Sequence, residues 1–433
     1  MTMRYKTIRG MEDILPKDVH LWQWLEHTCR RELEFYGYEE IRTPILEDTA
    51  IFTRSIGDTT DIVAKEMYTF NDKKKRSLTL RPEGTAPIVR SYVEHSMDKI
   101  SPEAKLYYVG PMFRSERPQK GRKRQFHQIG AERFGNGSYH TDALMIQQLY
   151  HMLKDGFGLD GFVINLNTLG CKKDKERFTD VLKKYLKKES GRLCSDCKER
   201  ATKNALRVLD CKKDSCVEIL KKAPNALDSL CEACKDHFRG LKATLKAMGV
   251  RFVESKNLVR GLDYYTGTVF EITHPALGSQ DAIAAGGRYD DLVRDFGGLQ
   301  IDAIGYALGM ERLIIALKET KKTCKSKTIY IAPIGVLESS VVLKAAIIAE
   351  DIRAVLGRKE RMNIRVITGS KFSSLKAQLK AADKSGARIV IILGDDETKT
   401  NELTIKDMIK KEQFKVPDND LDRLIDEIKK RIN

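Results

Sequence analysis

The residues best suited to chemistry lie in KLYYVGPMFRSERPQKGRKRQFHQIGAERF (residues 105–134), where two β-rich runs flank a tip holding five Lys/Arg and a Gly. Aromatic and β-branched runs around a polar, Gly-containing tip read as an antiparallel hairpin with a long loop. Side chains alternate between strand faces, so Gln128 and Glu132 share one face with Gly130 between them. A Gly there leaves room for a ligand to approach the backbone. Arg114, just before the tip, adds a guanidinium suited to phosphate. One sheet face thus offers a cation, an amide and a carboxylate under a basic flap; a solvated hairpin with a charged tip is the plainer reading.

Further stretches supply compatible groups. LTLRPEGTAPIVRSYVEH (78–95) reads as a strand, a Pro-Glu-Gly turn and a helix, with Thr85 suited to the N-cap and Pro87 to the first turn. Glu83 then sits at a strand–helix turn, as a ligand-reading carboxylate or as an acid capping the helix dipole. IGYALGMERLIIAL (304–317) is a Gly-spaced strand running into a helix with Glu311 and Arg312 in its first turn. The positive helix end favours Glu but not Arg, so Arg312 points to an anionic ligand nearby. LVRGLDYYTGTVFEI (258–272) places Arg260 ahead of Tyr264 and Tyr265, and AAGGRYDDLV (284–293) sets Gly286 and Gly287 before Tyr289. Paired glycines let backbone approach a flat ligand, and a twisted hairpin with a bulge is the alternative.

Residues 171–240 differ in character: Cys194/Cys197, Cys211/Cys216 and Cys231/Cys234 lie among Lys-rich helical stretches. Two C-x2-C knuckles could supply four thiolates for zinc, Cys194, Cys197, Cys231 and Cys234 being the only convincing set. Their 33-residue spacer exceeds the usual range and no His stands at ligand spacing, so no metal is expected. Cys211 and Cys216 are then small buried residues or surface thiols, and the cluster is non-catalytic.

The elements that must position these groups follow from pattern. Residues 17–37 show helical spacing closed by Gly37, and GYEEIRTPILED (37–48) turns extended, a helix-into-strand arrangement that can make a subunit contact. Residues 141–155 read as a helix and 162–170 as a strand. After the polar stretch 322–327, strands and helices alternate to the C-terminus, a separate α/β domain. A length of 433 residues suggests two to four domains. With 41% hydrophobic and 32% charged residues the composition is that of a globular protein; no run approaches a membrane span and no signal peptide is evident, so a cytoplasmic protein is expected. The net charge of +16 favours a polyanionic partner, and nine cysteines in such a setting argue against a disulfide framework.

Together these motifs resemble the class II aminoacyl-tRNA synthetases: GYEEIRTPILE their motif 1, FRSE through ERF (113–134) their motif 2 and GYALGMERL their motif 3. LVRGLDYYTGTVFEI and AAGGRYDDLV resemble segments peculiar to the histidyl-tRNA synthetase family. The resemblance implies an α+β catalytic domain with an antiparallel six-stranded sheet (residues 1–170 and 241–322), a helical insertion (171–240) and a C-terminal α/β anticodon-binding domain (327–433). It implies ATP as substrate with Mg2+, histidine and its tRNA as further partners, and a homodimer through motif 1. By motif position Arg114 and Arg260 are catalytic, Arg114 and Arg312 hold the α- and γ-phosphates, and Glu116 and Arg122 also meet ATP. Glu83, Thr85 and Gln128 match positions that grip the α-amino group, Glu132 and Tyr265 those reading the imidazole, and Tyr264 and Tyr289 complete the pocket. Arg117 and Gln119 match positions reading the tRNA's extra 5′ guanosine; Lys120, Arg122, Lys123 and Arg124 are expected to meet phosphates. The rival readings are a synthetase-like regulatory subunit of ATP phosphoribosyltransferase, which lacks an anticodon domain and degrades the motif arginines, and a synthetase-like protein that binds RNA or a partner without charging tRNA.

Overall fold

The computed structural model describes residues 5–57, 60–278, 281–319, 327–334, 339–360, 362, 364–369 and 374–432. The linker expected at 322–327 therefore lies, except for Lys327, outside the described residues. The chain divides into two units, Met1–Thr323 and Cys324–Asn433.

The first unit opens with α1 (Pro16–Phe35), started by a proline and left through Gly37 at φ +77°. It continues through β1 (Glu39–Glu40), β2 (Leu46–Asp48), α2 (Thr49–Ile56), β3 (Tyr68–Asn71), β4 (Ser77–Leu80) and α3 (Thr85–Glu94). The long hairpin is β5 (Ala104–Phe113) and β6 (Gln125–Phe134), followed by α4 (Tyr139–His151) and β7 (Val163–Thr168). The insertion contributes α5 (Lys172–Lys188), α6 (Ser195–Lys203) and α7 (Asp214–Leu220), and α8 (Glu232–Ala247) leads back. Then come β8 (Val253–Glu254), β9 (Thr266–Thr273), β10 (Ala282–Arg288), α9 (Leu292–Asp295), β11 (Ala303–Gly309) and α10 (Met310–Glu319).

The large sheet has the order β1-β5-β6-β11-β10-β9-β7-β8. Its six central strands are antiparallel throughout, as expected. The two-residue strands β1 and β8 add a parallel pairing at each edge, and at that length they carry no periodicity that sequence could reveal. Strands β2, β4 and β3 form a separate small antiparallel sheet.

Alternation along the strands divides the large sheet into two faces. On one, Ile129 and Ala131 of β6 and Tyr306 and Leu308 of β11 pack under α1, α4, α8 and α10. On the other, Tyr108 and Met112 of β5 and Phe134 of β6 pack with α3, α5 and the insertion. Helix α8 runs past the expected boundary at 240, and its Phe238, Leu241 and Leu245 join the first of these cores, so the insertion proper gives way to catalytic scaffold before that point.

The second unit is a five-stranded sheet built from β12 (Thr328–Pro333), β13 (Arg365–Thr368), β14 (Ala387–Leu393), β15 (Glu402–Asp407) and β16 (Gln413–Pro417), in the order β13-β12-β14-β15-β16. Three helices pack on it: α11 (Ser339–Ile352), α12 (Leu375–Lys384) and α14 (Leu421–Ile432); a short α13 (Asp395–Thr400) bridges two strands. Strand β16 was not anticipated, because QFKVP is short, mostly solvent-facing and ends in proline.

Candidate active site

The site face of the large sheet opens into a cavity of about 700 Å³. It is built from the hairpin upward. Register pairs Tyr108 with Gly130 and Leu106 with Glu132. A side chain on Gly130 would meet the Tyr108 ring 2.3 Å away, and one on Gly84 would meet it from the other side at the same distance. The space that Gly130 opens thus holds Tyr108, not a ligand, which corrects the expectation from sequence. Gly305 of β11 plays the same part for Glu132, whose carboxylate oxygen stands 1.6 Å from where a Cβ would be. Gly287 does so for the Tyr265 ring at 2.9 Å, so of the expected glycine pair one serves a side chain of the site itself.

Glu132 is fully buried, directly beneath the cavity. Its Oε1 accepts from the Thr85 hydroxyl at 2.7 Å and its Oε2 from the Tyr289 hydroxyl at 2.5 Å. Burial pushes its carboxyl up to about 8 against the pull of those two hydrogen bonds. Tyr289 shares this depth, so both residues support the cavity floor while Thr85 lines the cavity. Thr85 is not the N-cap. Gly84 holds that position, and the Glu83 carboxylate accepts from the Thr85 and Ala86 N–H groups at 2.7 and 2.8 Å. Burial raises the Glu83 carboxyl, while those N–H groups and the Arg114 charge oppose the shift. Tyr264 donates to Glu83 at 3.5 Å, and burial pushes the neighbouring Tyr265 phenol up to about 12, keeping it protonated.

The three arginines expected to hold the phosphates and act in catalysis reach the same cavity. Arg114 donates through Nε to the Pro82 carbonyl and lies over the Phe126 ring, 5.3 Å from its centroid. Arg260 pairs with Glu271 at 2.6 Å. Arg312 is held by the Gly121 carbonyl at 3.0 Å and the Ala282 carbonyl at 2.6 Å. Burial lowers the Arg312 guanidinium to about 10, and the Arg122 and Arg114 charges add to the effect, so it stays charged at neutral pH among other cations. Buried polar atoms usually find partners. Among the described residues Gln128 Oε1 and Arg260 Nε have none, and both side chains line the cavity. The arrangement can hold a polyanion against the arginines and a hydrogen-bonding heterocycle over the Glu83–Tyr265 end.

Glu116 and Arg122 also line the cavity and pair with each other at 3.0 Å. Arg117 and Gln119 do not line it. Gln119 forms an isolated bridge with Arg122, which closes a tight turn through Gly121 at φ +71°. Two of the loop cations expected to meet phosphates have partners within the protein: Lys120 donates to the Ala276 carbonyl, and Lys123, which also lines the cavity, pairs with Glu12.

Sequence reasoning missed the insertion's share. Arg200, Arg207, Asp210 and Lys212 line the cavity, and the first two bind Asp61 at 3.1 and 2.9 Å. In a Lys/Arg-rich stretch no local signal separates these from solvated charges. The cysteine pairing is a second correction. The two C-x2-C knuckles do not join: Cys194 and Cys197 converge with Cys211 and Cys216, while Cys231 and Cys234 converge with Cys171 and Asp174. The useful signal was the 13 positions 198–210 between Cys197 and Cys211, a spacer within the ordinary range for thiolate pairs. Among the described residues no cysteine lines the cavity.

Comparison with known proteins agrees with this geometry. Residues 10–313 match the family described as histidyl-tRNA synthetase, and residues 329–431 match the anticodon binding domain. The chain is 47% identical over 424 residues to the histidine--tRNA ligase of Thermodesulfovibrio yellowstonii, covering 98% of each chain. It is 44% identical over 406 residues to that of Syntrophotalea carbinolica, covering 94% of each. The solved apo histidyl-tRNA synthetase of S. aureus superposes with a TM-score of 0.73 at 33% identity, over 98% of this chain and 100% of that one. A Bacillus halodurans structure titled ATP phosphoribosyltransferase regulatory subunit/histidyl-tRNA synthetase shares the fold, with a TM-score of 0.61 at 22% identity, over 91% of this chain and 99% of that one.

Proposed function

The chain belongs to the histidyl-tRNA synthetase family, and we propose that the cavity described above is where its reaction takes place. The activity is histidine--tRNA ligation: histidine and ATP give histidyl-adenylate and pyrophosphate, and the histidyl group passes to tRNA. The regulatory-subunit reading is the weaker one, since the relatives that match at high identity over nearly the whole chain are ligases. The convergence of Arg114, Arg260 and Arg312 on one cavity with Glu83, Gln128 and Tyr265 carries the residue assignment.

A histidine carboxylate oxygen forms a bond to the α-phosphorus while the bridging bond to pyrophosphate breaks. Negative charge gathers on the phosphate oxygens, where fixed cations in a partly dry site are most effective. Arg114 holds the α-phosphate and Arg312 the γ-phosphate. Arg260, steadied by Glu271, lines the cavity and serves the α-phosphate and the attacking carboxylate. Glu116 and Glu271 offer the hard oxygen donors Mg2+ prefers, and the ion would neutralise the outer phosphates.

Glu83, Thr85 and Gln128 grip the α-amino group, the first with a carboxylate already fixed by two backbone donors. Imidazole presents one donor and one acceptor, which Glu132 from below and the Tyr265 phenol from the wall can satisfy. Tyr264 and Tyr289 hold these groups in place. Arg117 and Gln119, outside the cavity on the loop, read the tRNA's 5′ end. ATP–pyrophosphate exchange tests the whole assignment: exchange that requires histidine and is lost in Arg114→Ala supports it. Histidine-independent exchange, or normal exchange in that variant, would sink it.

A further inference from the structure

We propose that the insertion binds two zinc ions. One lies in a four-thiolate centre of Cys194, Cys197, Cys211 and Cys216, the other in a centre of three thiolates and a carboxylate from Cys171, Cys231, Cys234 and Asp174. In each set the four ligand atoms lie within 4.8 Å of one another. Zinc–sulfur bonds of about 2.3 Å in a tetrahedron place sulfurs roughly 3.8 Å apart, so each set closes on an ion with small side-chain movements.

The backbone prepares both sets. Cys194 is the N-cap of α6 and Cys197 its third residue; Cys231 and Cys234 stand in the same two positions on α8. Cys171 and Asp174 repeat the pattern on α5. Residues so placed bring their ligand atoms together at the start of a helix, as paired metal ligands three positions apart require. Two backbone N–H groups already point at sulfur: Cys194 N–H at Cys216 Sγ, 3.3 Å, and Cys171 N–H at Cys234 Sγ, 3.2 Å.

An independent observation carries the second centre. Asp174 is buried, and its Oδ1 accepts the Cys231 N–H at 3.1 Å. Its Oδ2 is buried with no hydrogen-bond partner among the described residues. A partnerless carboxylate oxygen beside three cysteines is an unusual thing to bury unless a cation completes it.

The placement gives each ion a purpose. The Cys171/Asp174/Cys231/Cys234 centre joins the strand-end that enters the insertion to the helix that leaves it. The four-thiolate centre lies within the second catalytic-unit core, whose inserted part is made of short helices that bury little surface alone. Cys211 lies between Asp210 and Lys212, two residues lining the cavity, so the ion would also fix that segment of the wall.

Elemental analysis of the full-length chain, purified without chelator, tests this directly, with two zinc ions per chain expected. Cys211→Ser and Cys234→Ser should each bind one, and the double variant none. Replacing zinc by cobalt should give the visible absorption of tetrahedral thiolate-bound Co2+, lost stepwise in the same variants. Should a variant fail to fold, thiol titration of the unaltered protein still decides. Seven cysteines reacting only after chelation, with protease cleavage then appearing between 171 and 231, supports the proposal. A folded, metal-free chain whose thiols react equally with and without chelator overturns it. One ion retained in Cys234→Ser but lost in Cys211→Ser, with one in the parent, overturns the second centre. Bound iron in place of zinc overturns the assignment of the metal.

Discussion

The role proposed for Glu132, reading a nitrogen heterocycle, gains selectivity from depth. Glu132 keeps no contact with solvent, and its folded pKa of about 8 stands well above the ordinary 4.5. Between those values the folded chain holds the proton and the unfolded chain has released it. Stability therefore falls as pH rises through about 4.5 to 8, and the effect is absent below 4.5. Glu132→Gln, neutral at every pH, should flatten that slope between pH 5 and pH 8 in thermal denaturation. It should also weaken histidine binding far more than ATP binding; equal losses would make Glu132 purely structural. The role proposed for Arg260 differs in acting on the chemical step. Removing one donor aimed at developing charge costs about 3–4 kcal/mol, or roughly 10²–10³ in rate. Arg260→His should accordingly slow single-turnover adenylate formation by that much while changing substrate affinities less. A near-normal rate in that measurement removes the role. Arg312 and Glu83 were legible as residues because each stands where its chemistry is odd: a cation at a helix start, a carboxylate in a tight turn. The depth of Glu132 was not, since it depends on Gly305, 173 positions away in the chain (305 minus 132).

At the level of the strand, glycine positions decide which side chains can occupy the site floor. Gly84 and Gly130 admit the Tyr108 ring, and Gly305 admits the Glu132 carboxylate. An added methyl at Gly305 would also meet the Ala131 carbonyl at 2.9 Å, so the strand pair itself must shift. Overpacking of this kind costs about 1–3 kcal/mol. Gly305→Ala should lower the melting temperature and raise KM for histidine at least as steeply as KM for ATP. If KM for histidine is unchanged while stability falls, the glycine serves packing alone. From sequence Gly130 read as an opening for ligand, because a missing side chain is visible there and its cross-strand neighbour is not. The central strands and helices α1, α3, α4 and α10 were legible from aromatic runs, turn residues and apolar spacing, whereas their antiparallel arrangement in one sheet came from the family resemblance. β1 and β8, two residues each, were too short to leave a pattern, and the cysteine partners were misjudged because spacing was weighed between identical knuckles only.

Each unit has cores of its own: among the described residues the apolar clusters of the first draw on residues 21–317 and those of the second on 329–432. Each therefore has its own means of stability, and among the described residues those lining the cavity belong to the first. The small sheet that carries the motif 1 strand leaves Ile45, Leu46 and Phe70 exposed, which supports a subunit contact there and would leave dimerisation to the first unit. If so, a chain ending near Lys325 should remain folded and dimeric and should keep histidine-dependent pyrophosphate exchange. It should lose most aminoacylation, because the matched anticodon-binding domain is gone and the basic loop alone must hold the tRNA. The loss should fall mainly on KM for tRNA, since the reacting groups are intact. Sedimentation, exchange and tRNA charging on one preparation separate the possibilities. A folded dimer without exchange would show that the second unit contributes to adenylate chemistry, and a folded monomer with exchange would show that the dimer contact lies elsewhere.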